Sequence, residues 1–212
     1  EMKKEEKSRK YELAKEITTP DGFINTKEKE ITLAEFIGKK VILIDFWTYS
    51  CINCQRTTPY LNAWYEKYKD AGLVIIGIHT PEFEFEKDYN NVKSAVEKFD
   101  IKFPVVLDNE YSTWTAYKNR YWPHKYLIDI DGYIIYDHIG EGAYKETEQK
   151  IQEALAERKG ALGESGAINQ SLIKETPVQD GSRSPETYFG SARNNREENL
   201  LFPNDSWNIE AE

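Results

Sequence analysis

The sequence predicts an α/β fold with a central mixed β-sheet flanked by helices on both faces. Two apolar, β-branched runs, Val41–Trp47 and Leu73–His79, have the length and composition of buried strands. Between them, residues 52–70 carry apolar side chains at helical spacing, and strands that alternate with helices form sheets covered on both faces. An apolar run on each side of Asp131-Gly132 predicts an antiparallel hairpin that completes the sheet.

The segment before the first buried strand predicts an N-terminal β-hairpin. Asp21-Gly22 is a turn signal, and Ile31–Leu33 leads into a brief helix that Gly38 would end. Residues 1–15 precede this segment as a charged N-terminal arm, which indicates either a solvated extension or a spacer next to a membrane.

The alternation of strands and helices continues towards the end of the domain. Residues 92–99 have helical spacing, and the run FPVVLD that follows them has the composition of a short strand. Residues 112–117 predict a small helix, and a last amphipathic helix runs from about residue 143 to 157. We therefore expect one domain over residues 16–159.

The chain changes character after Lys159. Residues 160–190 are rich in Gly, Ser, Pro and Thr and show no sustained period, which predicts a linker or an extended C-terminal tail along the surface. The last residues regain apolar side chains but are too few to fold alone. Residues 160–212 are thus expected to be a linker or tail.

Charge and hydropathy exclude several classes of function. The net charge of −9 over 212 residues argues against binding to nucleic acid or to anionic membranes. No apolar run approaches the roughly 20 residues that a helix needs to cross a bilayer. No signal peptide opens the chain, which begins with Glu1, and this indicates a processed or excised piece.

The two cysteines of the chain, Cys51 and Cys54, are three positions apart and directly follow a predicted strand. The start of a helix lowers the pKa of a cysteine there, and a second cysteine one turn later can attack a mixed disulfide formed by the first. A structural zinc site would need a second pair of ligands in recognisable spacing, which is absent from the sequence, so we expect no metal. The pattern indicates a redox pair, with an inert pair as the weaker alternative.

The stretch VILIDFWTYSCINCQRTTP resembles the thioredoxin superfamily, in its extracytoplasmic TlpA-like, AhpC/TSA-redoxin-like branch. The resemblance implies a thioredoxin-like fold and a proton-relaying carboxylate at Asp45. It also implies that Trp47 packs beside the active site and contacts the substrate, and that Pro123 is a cis-proline that docks substrate backbone. Trp122 stands before that proline, where a small residue is usual, and is our candidate for a further substrate contact.

Longer motifs such as FWTYSCINCQRTTPYL, GIHTPEFEFEK and SPETYFGSAR resemble the DipZ family of thiol–disulfide proteins. This resemblance implies an extracytoplasmic enzyme, either free or tethered to the membrane through a segment not present here, that reduces or exchanges protein disulfides with no cofactor besides the cysteine pair. It also implies re-reduction by a CcdA-like membrane electron carrier, and a linker or tail over residues 160–212 whose end is at most the start of a jelly-roll-like second domain. Two features depart from the wider superfamily: Ile52-Asn53 replaces Gly-Pro, and Thr57 stands where cytochrome-maturation relatives carry a carboxylate.

Several further residues have both a functional and a structural interpretation. Asp45 could be a strand residue with a satisfied hydrogen bond instead of a proton relay, and His124 next to Pro123 could reach the thiolate or belong to the strand. The acids of TPEFEFEK are best explained by surface solvation, with Glu82 as the candidate modulator of the site. Thr48, three residues before Cys51, allows a peroxiredoxin-like peroxidase, although Ile44 replaces the proline of that motif.

Two further alternatives stay open. A disulfide-forming oxidase would use the same cysteine pair in the opposite direction. A binding module that recruits a glycan or a cell-surface partner through the C-terminal segment belongs to a different class of function.

Overall fold

A computed structural model describes residues 4–27 and 29–174, which lie in one compact unit spanning Glu1–Glu175. The six strands described form one mixed sheet in the order β1-β4-β3-β2-β5-β6. The motif SPETYFGSAR and most of the predicted tail lie outside the described residues. The elements are α1 (Lys4–Lys10), β1 (Gly22–Ile24), β2 (Val41–Trp47), α2 (Ile52–Tyr68), β3 (Leu73–His79), a 3₁₀ turn (Glu84–Lys87), α3 (Tyr89–Lys98), β4 (Val105–Leu107), α4 (Ser112–Ala116), β5 (His124–Ile128), β6 (Ile134–Ile139) and α5 (Tyr144–Leu162).

The predicted fold class, a central mixed sheet flanked by helices, is confirmed. Strand β2 pairs in parallel with β3 and antiparallel with β5, and all seven of its residues are buried. Its alternate side chains enter two cores, because successive strand residues point to opposite faces. Leu43 packs on one face with Trp64 of α2 and Ile151 of α5, whereas Ile44 packs on the other with Leu33.

The N-terminal segment departs from the predicted hairpin. Asp21-Gly22 does not turn the chain, since Gly22 begins β1, which pairs antiparallel with β4 at the sheet edge. The N–H of Asp21 donates to the carbonyl of Leu107 at 2.8 Å, and its carboxylate accepts from the N–H of Asn109 at 2.7 Å. Pairing with a distant strand therefore outweighs the local turn preference. The brief helix expected before Gly38 is a series of turns.

The second hairpin has the predicted turn. Gly132 adopts a φ of +91°, a conformation that a side chain would disfavour. One carboxylate oxygen of Asp129 accepts from the N–H groups of Asp131 and Tyr133 at 3.0 and 2.9 Å. These bonds close the turn between β5 and β6.

The charged arm contains a helix, α1, and is not solvated throughout. Lys7 is buried, and its ammonium contacts the carboxylates of Asp129, Asp131 and Glu157 at 2.7, 2.8 and 2.6 Å. Because β5 runs antiparallel to β2, Asp129 lies at the end of the sheet away from the cysteines. The arm is thus tied to the end of the sheet opposite the site. None of the described helices is long and apolar enough to span a membrane.

Candidate active site

The two cysteines lie where the parallel strands β2 and β3 end. Cys51 is the N-cap of α2, and its Sγ accepts a hydrogen bond from the N–H of Cys54 at 3.3 Å. The first N–H groups of a helix have no partner inside the helix and carry the positive end of its dipole. The fold therefore directs free N–H donors at the sulfur of Cys51.

The two thiols differ in exposure and in acidity. Cys51 is half-buried, whereas Cys54 is 2% exposed. A hydrogen bond from the Cys54 side chain lowers the pKa of Cys51, whereas burial raises it. The backbone N–H groups of Asn53 and Cys54 lower this pKa further. Burial raises the pKa of Cys54 well above its ordinary value, and the neighbouring Cys51 and Asp45 reinforce this shift. Cys51 is therefore the first to form a thiolate.

A buried carboxyl and a buried amine lie behind Cys54 on neighbouring strands. The register pairs Asp45 of β2 with Lys125 of β5, and neither side chain reaches the solvent. Burial raises the pKa of Asp45 to about 7, although the charge of Lys125 works in the opposite direction. Burial also lowers the pKa of Lys125, against the charges of Asp45 and Cys54. A carboxyl with a pKa near neutrality can accept and release a proton beside Cys54.

Lys125 was not among the residues predicted from the sequence. Its Nζ donates to the carbonyl of Gly140 at 2.9 Å, and its charge acts on Asp45 and Cys54. The signal that could have revealed it is a lysine inside the strand run HKYLI, because charged side chains are rarely fully buried without a partner. Strand pairing with Asp45 then decides which face it occupies.

The Trp122–Pro123 peptide bond is cis, as the resemblance implied. The thiol of Cys51 lies 3.8 Å from the carbonyl oxygen of Trp122, so this segment borders the nucleophile. The indole N–H of Trp122 donates to the carbonyl of Thr80 at 2.9 Å, and its ring packs against Trp114 with centroids 4.3 Å apart. The ring is therefore fixed at the rim of the site, half-buried.

Trp47 lies behind the cysteines in the core. Its ring meets His79 edge-on at 5.1 Å, and a side chain at Gly77 would come within 2.9 Å of the indole nitrogen. Gly77 thus makes room for the tryptophan. Because Trp47 is buried, this position supports a packing role rather than the substrate contact that was also expected.

His124 faces away from the thiols. Its Nδ1 lies 2.6 Å from Asn119 Oδ1 and its Nε2 lies 2.9 Å from Asp137 Oδ2. Since neighbouring strand residues point to opposite faces, Lys125 takes the cysteine face and His124 the other. The expectation that His124 reaches the thiolate is therefore wrong, and its strand interpretation fits.

The acidic loop after β3 places one carboxylate inside the protein. Glu84 is 85% exposed, as expected of a solvated acid, and Glu82 is half-buried with a charge that opposes ionisation of Cys51. Glu86 is fully buried, so surface solvation does not explain it. Its Oε1 accepts from the hydroxyl and the N–H of Ser50 at 2.6 and 3.3 Å, and its Oε2 accepts from the N–H of Glu82 and of Phe83 at 2.6 and 2.9 Å.

Thr48 takes part in the same buried network. Its hydroxyl lies 3.5 Å from Nε2 of His79 and hydrogen-bonds Glu86, and its backbone bonds the sulfur of Cys54. Burial lowers the pKa of His79 to about 4, so this imidazole is neutral at physiological pH. The Thr48 hydroxyl is thus occupied behind the cysteine pair.

The surface around Cys51 is open and apolar. Ile52 is 52% exposed, and the rings of Phe83 and Phe85 are stacked 5.4 Å apart and half in solvent. The hydroxyl of Tyr49 donates to the carbonyl of Phe85 at 3.3 Å, which joins this loop to the cysteine loop. A large partner can therefore approach the half-buried sulfur of Cys51.

A family model described as the AhpC/TSA family matches residues 11–137. The chain is 45% identical over 181 residues to Protein DipZ of Mycobacterium tuberculosis, a match that covers 82% of this chain and 25% of that protein. The chain thus spans about a quarter of the length of this relative.

Two further comparisons cover most of the matched protein. Thiol-disulfide oxidoreductase ResA of Bacillus thuringiensis is 35% identical over 150 residues, which is 70% of this chain and 80% of ResA. The solution structure of a thioredoxin-like protein in the oxidised form superimposes with a TM-score of 0.63 at 29% identity, covering 69% of this chain and 97% of that one.

Proposed function

The chain belongs to the AhpC/TSA family and is a thioredoxin-like thiol–disulfide oxidoreductase; within that class we propose that it reduces protein disulfides outside the cytoplasm. The observation that carries this proposal is the unequal pair at the start of α2. Cys51 is accessible and readily ionised, and Cys54 is buried and held protonated beside Asp45. A nucleophile and a delayed second thiol are what stepwise exchange requires.

In the first step, the thiolate of Cys51 attacks one sulfur of the substrate disulfide. The substrate S–S bond breaks, a bond forms between Cys51 and the substrate, and the released substrate thiolate takes a proton from solvent. The carbonyl of Trp122 borders this sulfur, and the backbone at cis-Pro123 is our proposed docking edge for the substrate chain.

In the second step, Cys54 attacks the sulfur of Cys51. Asp45, whose pKa of about 7 lets it accept a proton, takes the proton of Cys54 as the thiolate forms. The mixed disulfide breaks, the second substrate thiol leaves with a proton, and Cys51–Cys54 becomes a disulfide. Two electrons and two protons pass to the substrate, and no cofactor is required.

The site geometry favours exchange over a peroxidase. In the peroxidase motif, the threonine three residues before the cysteine has to act at the reacting sulfur. Here the Thr48 hydroxyl is bound to Glu86 and near His79, behind the pair. Cys54 also lies within reach of Cys51, which suits disulfide formation within the chain.

The supply of electrons is a further part of the proposal. Similarity to DipZ supports a CcdA-like membrane carrier that re-reduces the Cys51–Cys54 disulfide outside the cytoplasm. We also propose that residues 16–159 are the catalytic domain, that residues 1–15 are an arm before it, and that residues 160–212 lead towards a further domain.

The reduction potential of the pair tests the direction of electron flow. We expect equilibration with dithiothreitol or glutathione, followed by tryptophan fluorescence, to give a potential near or below about −250 mV. A potential of about −120 to −180 mV would instead favour an oxidase. Absence of any reversible two-electron transition would overturn the redox assignment itself.

Single cysteine variants test the order of the two steps. We expect Cys54→Ser to accumulate a mixed disulfide with an oxidised protein substrate such as insulin, because the second step is blocked. Cys51→Ser should form none and should lose all reductase activity, since Cys54 is buried. Non-reducing gel electrophoresis distinguishes the two, and trapping by Cys51→Ser instead would reverse the assigned roles.

A further inference from the structure

The buried carboxylate of Glu86 has no part in the two steps above, yet it is bound to the residue next to the nucleophile. Its Oε1 receives both donors of Ser50, and Oε2 receives two backbone N–H groups of its own loop. These four donors, and the Thr48 hydroxyl that also bonds the carboxylate, are all uncharged. A buried charge without a cationic partner is costly, so its position calls for a physical explanation.

The arrangement requires a carboxylate. Each oxygen of Glu86 accepts at least two hydrogen bonds, the Thr48 hydroxyl adds a further one to the carboxylate, and an ionised carboxylate is the side chain that only accepts at both ends. A glutamine would present an NH₂ group either to Ser50 or to the N–H groups of Glu82 and Phe83. Burial alone would raise the pKa of Glu86, but the bonds from Ser50, Thr48 and the loop backbone lower it, so the group is charged at neutral pH.

The charge of Glu86 lies against the residue that precedes Cys51, since Oε1 accepts both donors of Ser50. Ser50 immediately precedes Cys51, and its hydroxyl, bound at 2.6 Å by Glu86, is not free to donate to the sulfur. The other titratable groups around the pair and Glu86 include Cys54 on the same helix, Glu82, Tyr49 and Tyr111 on the loops, His79 on β3, and Asp45 with Lys125 behind Cys54. His79 is neutral, and Lys125 lies on the Cys54 side, so neither cancels the charge of Glu86 next to Ser50.

We propose that Glu86 is a positioning residue that withholds the Ser50 hydroxyl from Cys51 and sets a negative charge beside it, which disfavours the thiolate and makes the pair a stronger reductant. A dithiol whose thiolate is strongly stabilised is an oxidant, because its reduced form is favoured. Glu86 works against that stabilisation. The inference rests on the proposed reductase function and gives it a structural cause.

The charge can be removed by Glu86→Gln, with Glu84→Gln as a matched control in the same loop. Glu84 is 85% exposed, and among the described residues it forms an ion pair with Lys87. For Glu86→Gln we expect the pH of half-maximal alkylation of Cys51 by iodoacetamide to fall by about one unit. The equilibrium with dithiothreitol should move at least about threefold towards the reduced protein. Glu84→Gln should leave both values unchanged.

The Ser50→Ala variant keeps the charge of Glu86, and its expected effect on the pKa of Cys51 has the opposite sign. It removes the hydroxyl that partly neutralises Glu86, so the pKa of Cys51 should rise slightly and the pair should become no more oxidising. A general loosening of the loop would instead move both variants in the same direction, and that result would overturn the inference. If Glu86→Gln does not fold, a fall in the Cys51 pKa of Ser50→Ala would by itself contradict the proposal.

The two proposals fail in different ways. Absence of reversible reduction in the wild-type protein would refute the proposed function. A wild-type protein that is a reductase, together with a Glu86→Gln variant that matches it in pKa and equilibrium, would refute the role of Glu86 alone.

Discussion

Two clusters of buried charge lie at opposite ends of the sheet and are built differently. At the end away from the cysteines, Lys7 contacts three carboxylates within 2.8 Å, those of Asp129, Asp131 and Glu157. At the cysteine end, Asp45 and Lys125 are neighbours on paired strands, but no hydrogen bond in the described part of the chain reaches Oδ1 of Asp45. The Lys7 cluster is thus closely ion-paired, whereas the carboxylate of Asp45 is incompletely paired.

The difference in pairing produces a difference in titration. Burial alone would lower the pKa of Lys7, but the three carboxylates raise it above its ordinary value, so its charge is fixed across the physiological range. Burial of Asp45 outweighs the effect of Lys125 and brings its pKa to about 7. Pairing thus gives a structural tie, and incomplete pairing gives a group that can exchange protons near neutral pH.

The largest expected effect comes from removing the titration of Asp45 with Asp45→Asn. A raised pKa means that the folded protein binds the proton more tightly than the unfolded chain does. This stability is fully present below the unfolded pKa of 3.8 and is lost as the pH rises through about 7. The unfolding free energy of the reduced variant, relative to wild type, should therefore increase by about 4 kcal/mol between pH 4 and pH 8.

Urea unfolding of the reduced proteins across this pH range measures the difference. Asp70→Asn, at an exposed position on the turn after α2, is the matched control and should show no such trend. A pH-independent difference between Asp45→Asn and wild type would mean that Asp45 is ionised normally and cannot relay protons near neutrality.

A substitution in the Lys7 cluster should change the stability of the protein but not its redox equilibrium. Lys7→Met leaves three carboxylates, one of them fully buried, without their cation, and we expect it to cost about 3 kcal/mol of unfolding free energy. Lys10→Met, at an exposed position of the same helix, should cost far less. The dithiothreitol equilibrium of Cys51–Cys54 should stay at the wild-type value, and a shift there would show that the two ends of the sheet are coupled.

Local patterns were enough to predict most of the fold. The β-branched runs gave β2 and β3 with their observed ends, and the Asp131-Gly132 turn gave the hairpin of β5 and β6. The failure at Asp21-Gly22 has a different origin, because β1 forms by pairing with β4, some 80 residues away in the chain. A turn signal describes only its neighbours and carries no information about such a partner.

The residues of the site also divide into those that local spacing predicts and those that depend on distant parts of the chain. Cys51, Cys54 and Asp45 lie within one strand–helix junction, so their proximity follows from local spacing, and Pro123 was found through a family resemblance. Lys125 and Glu86 come to the site from other strands and loops. Their burial depends on strand register and on the fold of the 3₁₀ turn, so in the sequence Glu86 looked like the exposed Glu84.

The smallest expected effect concerns the influence of Lys125 on the pKa of Asp45. Lys125→Met removes the charge that lowers the pKa of Asp45, so that pKa should rise further above 7, by roughly one unit. Asp45 would then stay protonated to higher pH, and the second step should reach half its maximal rate at a pH about one unit higher. Stopped-flow fluorescence of mixed-disulfide resolution across pH measures this shift, with Lys102→Met, whose side chain is 62% exposed, as the control. An unchanged profile would mean that Lys125 does not act on the relay, and Asp45 would then owe its pKa to burial alone.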